Sequence, residues 1–322
     1  MSDAAPFHAA IADAPAGARA FWLHTEDAVR LRAALWDIGA AGTAIVLPGR
    51  TEYVEKYGRV VGRLCALGLA AVVLDWRGQG LSDRHPGALH LGHVEDFRHY
   101  QYDVAALLEH PAVRDLPRPF HMVAHSMGGC IGLRTLLERS DFATAIFTAP
   151  MWHLQMRAAT RELTSKMTQL ATMLGLGQRL MIGGAARPTA LAVAFEANPL
   201  TSDPMVYAWG AAQITAFPEL AIGGPSVQWT RAALEEMARL YVAPAPDMPV
   251  LAFLGTDESV VSASVIRSRL EKMKQGDLVM LEGARHEIFM ERPGVQAEVW
   301  SRIGAFLEDA PGRRGRAAAI HR

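Results

Sequence analysis

Cysteine, net charge and long apolar runs are all scarce in this chain of 322 residues. The two cysteines, Cys65 and Cys130, are too few for a disulfide framework, and we expect both to be free thiols. The 32 lysines and arginines nearly balance the 33 aspartates and glutamates, so the net charge of −1 creates no field that would collect nucleic acid. No apolar run approaches the ~18 residues that a membrane-spanning helix requires.

The beginning of the chain carries no recognisable export signal. Residues 1–19 contain no basic segment followed by an apolar core, which is the pattern of a secretory signal peptide. We therefore expect a cytoplasmic protein. A position peripheral to the inner face of the membrane is the alternative that these features leave open.

Metal-ligand spacing is missing as well. His85, His90, His93 and His99 lie near one another in the chain, but no tight spacing and no matching cysteine or carboxylate pattern accompanies them. We interpret them as solvated loop histidines and expect no metal. The segment Gly78-Gln79-Gly80 lacks the Lys-Ser/Thr ending of a phosphate-binding loop, so no nucleotide cofactor is expected either.

Short apolar segments alternate with helical patterns over the first 150 residues, and this alternation returns near the end. Because these segments are apolar throughout, they predict a parallel sheet that is covered on both faces by helices. The predicted strands are 29–36, 44–47, 70–75, 120–124, 143–148, 250–254 and 278–281.

The alternation stops at Ala149-Pro150, and residues 151–246 show helical patterns only. We interpret this segment as a helical cap, inserted into a core that consists of residues 19–150 and 247–310. Residues 1–18, rich in alanine, proline and glycine, and the basic residues 311–322 are predicted to be flexible termini. The helices predicted in the cap are 154–174, 206–217 and 228–241.

A serine on a sharp turn provides the first chemical signal. The segment Ala124-His125-Ser126-Met127-Gly128 lies between an apolar strand and a helical pattern, as does the nucleophile elbow of α/β-hydrolases. The turn requires small neighbours, and Ala124 stands where the usual pattern has glycine. His125 is interpreted as a support of the elbow. The motif alone is weak, so its partners decide the interpretation.

Two later loops supply those partners. A serine hydroxyl needs a base and an acid that orients the base, and in this fold the acid and then the histidine follow the serine in the chain. His286, after the last predicted strand, is the candidate base. Asp257 and Glu258 compete for the acid; the apolar pair Val260-Val261 favours Glu258 because the acid is usually followed by one variable and two apolar residues.

The oxyanion hole requires two backbone N–H donors. Met127, directly after the serine, is predicted to provide one, and Arg50, after Pro48-Gly49, is predicted to provide the other. The side chain of Arg50 has two interpretations: contact with a phosphate headgroup or simple exposure to solvent, and we favour exposure.

Together these residues resemble the bacterial lysophospholipase and monoacylglycerol lipase family of α/β-hydrolases, from about Leu31 to Leu307. The resemblance implies an α/β fold, with a mostly parallel eight-stranded sheet, helices on both faces and a helical cap insertion. Pro48 departs from the family, because monoacylglycerol lipases commonly have histidine there. The motifs that carry the resemblance are 48–52 with 56–57, 74–82, 92–97, the elbow, 198–202, 222–226 and 283–287.

The resemblance implies serine ester hydrolysis of a lysophospholipid or monoacylglycerol through an acyl-enzyme, without a cofactor. The cap would supply the acyl pocket and a transient contact with the membrane surface. Met156, Met167 and Met173 would line that pocket or pack the cap on itself. The alternatives are a short-chain carboxylesterase or another α/β-hydrolase activity and, from a different class, a non-catalytic receptor on the same fold.

Overall fold

The computed structural model describes residues 4–186 and 188–310. One eight-stranded sheet runs through them. Its strands are β1 (Arg19–His24), β2 (Arg30–Trp36), β3 (Thr43–Leu47), β4 (Ala70–Leu74), β5 (Phe120–His125), β6 (Phe142–Thr148), β7 (Val250–Gly255) and β8 (Gly276–Leu281).

The strands lie in the order β1-β2-β4-β3-β5-β6-β7-β8. The strand β2 pairs antiparallel with β1 and β4, and the other neighbours pair in parallel. Every residue of β3, β4 and β5 is buried, as expected for parallel strands with helices on both faces. The prediction of a mostly parallel eight-stranded α/β-hydrolase sheet is therefore confirmed.

Helices alternate with these strands and also fill the cap. The α-helices are α1 (Ala9–Ala12), α2 (Gly58–Ala66), α3 (His99–Glu109), α4 (Pro111–Arg114), α5 (Met127–Glu138), α6 (Ala158–Met173), α7 (Thr189–Ala192), α8 (Pro204–Ala216), α9 (Val227–Val242), α10 (Ala263–Leu270) and α11 (Pro293–Glu308). Short 3₁₀-helices span Val54–Tyr57, Pro86–Ala88, Phe195–Ala197, Pro218–Leu220 and Ile288–Met290. Within residues 4–186 and 188–310, every helix is too short or too polar to cross a lipid bilayer.

The carboxyl ends of four parallel strands determine where the candidate active site lies. The strands β3, β5, β7 and β8 point the same way, so their carboxyl ends meet at one edge of the sheet. The loops that follow them carry four segments of the candidate site. These are the oxyanion segment (48–50), the elbow (124–128), the acid loop (256–261) and the histidine loop (282–289). Ligand sites of open parallel sheets occur at this edge.

The cap lies against that edge. The N–H of Glu287 donates to Leu200 O at 2.7 Å, and Arg285 Nη1 donates to Asn198 O at 2.9 Å. The elbow also contacts the start of the cap, since Met151 donates its N–H to Ser126 O at 2.8 Å. These bonds hold cap residues over the loop that carries the candidate base.

Several predicted elements differ from the structure at their ends. The cap helix predicted from Leu154 begins at Ala158, and the one predicted over 206–217 spans Pro204–Ala216. Leu154 is not part of the helix, because it forms an isolated antiparallel bridge with Val261. The strand β1 was not among the predicted strands.

The N-terminal segment differs from the predicted flexible terminus over residues 4–18. Ala4 bridges Phe21 in β1, Ala12 is fully buried, and the carbonyl of Pro15 accepts a hydrogen bond from Trp36 Nε1 at 3.1 Å. Phe7, Ala14 and Ala18 of this segment are partly buried against the hydrophobic core. Residues 1–3 and 311–322, which the same prediction included, lie outside the described residues.

Candidate active site

Ser126 lies on a strained turn between β5 and α5. Its backbone φ of 49° and ψ of −114° fall outside the regions that serine normally adopts. Gly128 permits the turn, because a Cβ at this position would lie 2.0 Å from Leu47 O at the end of β3. The close approach brings the elbow against the oxyanion segment. Only 8% of Ser126 is exposed.

His286 meets the serine from the loop after β8. Its Nε2 lies 2.9 Å from Ser126 Oγ, and its Nδ1 lies 2.8 Å from Glu258 Oε2. Because a carboxylate can only accept, Nδ1 donates to Glu258 and Nε2 is left to accept the serine proton. The structure thus brings the three predicted side chains into one chain of hydrogen bonds.

The two carboxylates of the acid loop, Glu258 and Asp257, differ in their contacts. Glu258 Oε1 accepts the N–H groups of Val260 and Val261, while its other oxygen meets His286. Burial opposes ionisation of Glu258, but the imidazole and these N–H donors outweigh it and lower the pKa of the carboxyl. Asp257 is exposed and makes no side-chain hydrogen bond to the imidazole.

The predicted oxyanion donors flank the serine. Met127 is the first residue of α5, so its N–H has no acceptor within that helix. Arg50 follows Gly49, where an added Cβ would lie 2.9 Å from the ring of His125. The assignment of both N–H groups to an oxyanion hole remains our prediction, as do the catalytic roles of the three side chains.

A buried ionic cluster, not foreseen from the sequence, connects two of these loops. Glu52 Oε2 accepts the N–H of Gly49 and the hydroxyl of Tyr57, and its Oε1 lies 3.1 Å from Lys56 Nζ. Lys56 also lies 2.6 Å from Glu287 Oε1. Burial opposes ionisation of Glu52, yet Lys56 and the hydrogen-bond donors lower its pKa to about 2.

His125 packs between the cluster and the candidate base. Its ring centroid lies 5.0 Å from that of His286, and its Nδ1 lies 3.0 Å from Thr148 O. The hydroxyl oxygen of Thr148 lies at the same distance, 3.0 Å, from this nitrogen. Burial lowers the pKa of His125, although Glu52 opposes this effect. This position agrees with the interpretation of His125 as a support.

The other histidines and the cysteines considered from the sequence do not join the chain of hydrogen bonds from Ser126 to Glu258. Within the described parts of the chain, no three histidine, cysteine, aspartate or glutamate side chains are arranged to hold a metal ion. His93 is buried instead of solvated, and its Nδ1 lies 2.8 Å from Ser226 Oγ. Cys65 and Cys130 are free thiols whose pKa values are raised by burial.

Comparison with known proteins identifies the family. Residues 39–293 match the hydrolase family described as serine aminopeptidase, S33. The chain belongs to this family. The matched segment extends from before β3 to the start of α11, so it includes the elbow, the acid loop and the histidine loop.

Two curated proteins are similar to this chain. Lysophospholipase L2 of Escherichia coli K12 is 28% identical over 265 residues, which cover 79% of this chain and 76% of that protein. Probable lysophospholipase L2 of Haemophilus influenzae is 25% identical over 265 residues, with 82% of each chain covered. The predicted resemblance to the lysophospholipase and monoacylglycerol lipase family is confirmed.

Solved structures share the fold. A soluble variant of monoglyceride lipase from Saccharomyces cerevisiae superposes with a TM-score of 0.68 at 19% identity, covering 89% of this chain and 94% of that one. A thermostable carboxyl esterase from Bacillus coagulans gives a TM-score of 0.71 at 15% identity, covering 91% and 99%. At these identities the likeness establishes the α/β-hydrolase fold alone.

Proposed function

We propose that this hydrolase cleaves carboxylic esters of lipids, lysophospholipids or monoacylglycerols, through an acyl-enzyme. The observation that carries the proposal is the chain of hydrogen bonds from Ser126 through His286 to Glu258. The two curated relatives, both named lysophospholipase L2, support the lipid substrate.

The reaction follows from the geometry. Ser126 Oγ attacks the ester carbonyl carbon while His286 Nε2 takes the hydroxyl proton, and Glu258 stabilises the imidazolium. The N–H groups of Arg50 and Met127 bind the oxyanion, worth ~3 kcal/mol for each donor. When the ester C–O bond breaks, His286 returns the proton to the leaving alcohol. Water then attacks the acyl-enzyme, with His286 as base, and releases the fatty acid and the free serine.

A cavity under the cap suits an apolar chain. It has a volume of about 480 Å³ and is bounded by the start of the cap, by α9 and by the beginning of α10. Met156, Leu234 and Met237 line it, together with the polar side chains of His153, Arg161, Ser262 and Ser264. The segment 151–156 leads to this cavity from the elbow, where Met151 bonds Ser126 O. We assign the acyl chain to this space.

The outer face of the cap supports transient contact with a lipid surface. Leu163, Met167, Leu170 and Leu174 recur at helical spacing along α6 and its C-terminal end, and each is exposed, Leu163 by 59% and Leu170 by 58%. Met167 therefore neither lines the pocket nor packs inside the cap. Contiguous exposed apolar side chains mark interaction sites, and a membrane is where this substrate class resides.

Labelling of the serine tests the mechanism. A fluorophosphonate probe is expected to add once to the wild-type protein, as measured by intact mass, and not to Ser126→Ala. Absence of an adduct on the folded wild-type protein would contradict the acyl-enzyme and favour a non-catalytic receptor.

Substrate panels test the chemical class. We expect release of fatty acid from lysophosphatidylcholine or monoolein, and faster hydrolysis of p-nitrophenyl decanoate than of the acetate. A sharp preference for the acetate would favour a short-chain carboxylesterase. Because the family is described as an aminopeptidase, amino-acid p-nitroanilides complete the panel; turnover of these alone would reject the lipid substrate.

A further inference from the structure

Arg50 extends from the oxyanion segment to the cap. Its Nη1 and Nη2 donate to Gly223 O at 2.9 and 3.1 Å. Its guanidinium carbon lies 5.4 Å from the ring centroid of Trp229, in the first turn of α9. The expectation of a solvent-exposed side chain is therefore wrong, because contacts with the cap leave Arg50 half-buried.

No carboxylate among the described residues forms an ion pair with this guanidinium. Two buried arginines are paired with carboxylates, Arg32 with Glu55 and Asp75, and Arg77 with Asp27 and Asp103, whereas the buried Arg269 has carbonyl acceptors instead. A cation that is largely withdrawn from water without an opposing charge is costly, and Arg50 is half-buried. Burial accordingly lowers the pKa of Arg50 to about 10, with only a partial offset from Tyr100.

The neighbouring helix adds to the positive potential. Arg50 lies beside the N-terminal turn of α9, where the helix dipole is positive. Arg269 provides the contrast, because it donates to the carbonyls of Leu240, Ala243 and Pro244 at the opposite end of the same helix. A cation is favoured at a helix C-terminus and disfavoured at an N-terminus. The arrangement around Arg50 therefore favours an added anion.

We infer that the guanidinium of Arg50 binds the phosphate of a lysophospholipid and so selects lysophospholipids over monoacylglycerols. This inference rests on the proposed function of the same site. A guanidinium has five N–H donors, and the contact with Gly223 O uses only two of them. Its planar donors match phosphate oxygens and are weakly hydrated.

The dimensions of the substrate agree with this assignment. The three carbons of glycerol separate the ester from the phosphate, and three methylene groups separate the backbone of Arg50 from its guanidinium. One residue can therefore contact the ester carbonyl oxygen through its N–H and the phosphate through its side chain. A monoacylglycerol offers no anion at the second position.

A purely structural role of Arg50, as a clamp on the cap, predicts a different result. A clamp would lower turnover of every substrate alike, whereas phosphate binding changes the ratio between substrates. Arg84 provides the matched control, because its guanidinium also joins the core to the cap, donating to Ala221 O at 3.1 Å and to Glu219 O.

The experiment compares 1-palmitoyl lysophosphatidylglycerol with 1-monopalmitoylglycerol, which carry the same acyl chain. In Arg50→Gln we expect the ratio of their kcat/KM values to fall about ten-fold or more, mainly through KM of the phospholipid. Arg50→Lys should recover part of the ratio, and Arg84→Gln should keep the wild-type ratio. An unchanged ratio in Arg50→Gln, or an equal loss on both substrates, overturns the inference.

A soluble probe separates this inference from the proposed function. Glycerophosphoglycerol should inhibit hydrolysis of p-nitrophenyl butyrate by the wild-type protein competitively, and the inhibition constant should rise about ten-fold in Arg50→Gln. Equal inhibition of both proteins overturns the phosphate site even if lipids are hydrolysed. A wild-type protein that hydrolyses monopalmitoylglycerol but no lysophospholipid also overturns it, and leaves the lipid esterase intact.

Discussion

The ammonium of Lys56 lies 2.6 Å from the carboxylate of Glu287, the residue that follows the candidate base His286. The same ammonium lies 3.1 Å from Glu52, which in turn accepts the N–H of Gly49 in the oxyanion segment. One buried cation therefore joins the two loops whose relative position decides whether base and oxyanion donors face the same ester. Lys56 is a positioning residue, because its ammonium pairs with Glu52 and Glu287 and acts on the site through them.

Removal of this cation should impair turnover more than binding. In Lys56→Met, two buried carboxylates lose their common partner and repel each other, so both loops shift. We expect kcat for p-nitrophenyl butyrate to fall by on the order of 10- to 100-fold, with a smaller change in KM. Lys56→Arg, which keeps the charge, should restore most of kcat.

A buried pair away from the site controls for lost stability. Glu236 pairs with Arg134, and Glu236→Gln should lower the melting temperature while kcat stays near the wild-type value. If Lys56→Met and Glu236→Gln lower kcat equally at matched stability, the positioning role of Lys56 is wrong.

Substitution of each carboxylate on the acid loop should give opposite results. Glu258→Gln keeps the size of the side chain but cannot stabilise the imidazolium, so kcat should fall by roughly 10³- to 10⁴-fold. Asp257→Asn should retain wild-type kcat, because Asp257 is exposed and does not meet His286. Steady-state kinetics of both variants on one chromogenic ester test which carboxylate orients His286. An inactive Asp257→Asn beside an active Glu258→Gln would assign this role to Asp257.

The location of the candidate site could be predicted because local patterns encode it. The elbow, the acid and the histidine each follow an apolar strand, and parallel strands bring their carboxyl ends together. The preference for Glu258 rested on the apolar pair Val260-Val261. The structure adds a physical reason, since the N–H groups of this pair bind the carboxylate.

Other features depend on contacts between distant parts of the chain. Lys56 and Glu287 are 231 residues apart, and no sequence pattern relates them. The guanidinium of Arg50 is withdrawn from solvent through its hydrogen bond to Gly223 O in the cap, 173 residues away. The strand β1 offered a local signal, because Phe21 and Leu23 alternate with less buried neighbours. This pattern is short, however, and it lies next to the N-terminal segment rich in alanine, proline and glycine.

The elbow should not tolerate a methyl group at Gly128. The added Cβ would meet Leu47 O at 2.0 Å and Pro48 O at 2.6 Å, so Gly128→Ala must separate the elbow from the oxyanion segment. We expect a large loss of activity together with a lower melting temperature. The control is Gly210→Ala in the middle of α8, where a Cβ meets nothing within 4 Å. That change should stabilise the protein by up to about 1 kcal/mol, and an active, equally stable Gly128→Ala would contradict the close approach.

The apolar face of α6 should govern association with lipid. The double variant Leu163→Gln/Leu170→Gln should sediment less with phosphatidylethanolamine–phosphatidylglycerol vesicles than the wild-type protein, while its melting temperature changes little because both side chains are exposed. Met205→Gln, at a comparably exposed position on α8, should sediment like the wild-type protein. Equal sedimentation of all three proteins would exclude this face as the membrane contact.

Acid should weaken the fold through Glu52. Its pKa is lowered from 4.5 to about 2 in the folded protein, where burial is outweighed by Lys56, His125 and Tyr57. The stabilisation is therefore complete above pH 4.5 and lost as the pH falls towards 2, and the shift corresponds to on the order of 3 kcal/mol. Glu52→Gln should be less stable at pH 7 and show a flatter decline of unfolding free energy in urea between pH 4.5 and 2.5. Glu235→Gln, at an exposed pair that contributes little, should follow the wild-type slope; an unchanged slope in Glu52→Gln would mean that Glu52 is not held as a carboxylate.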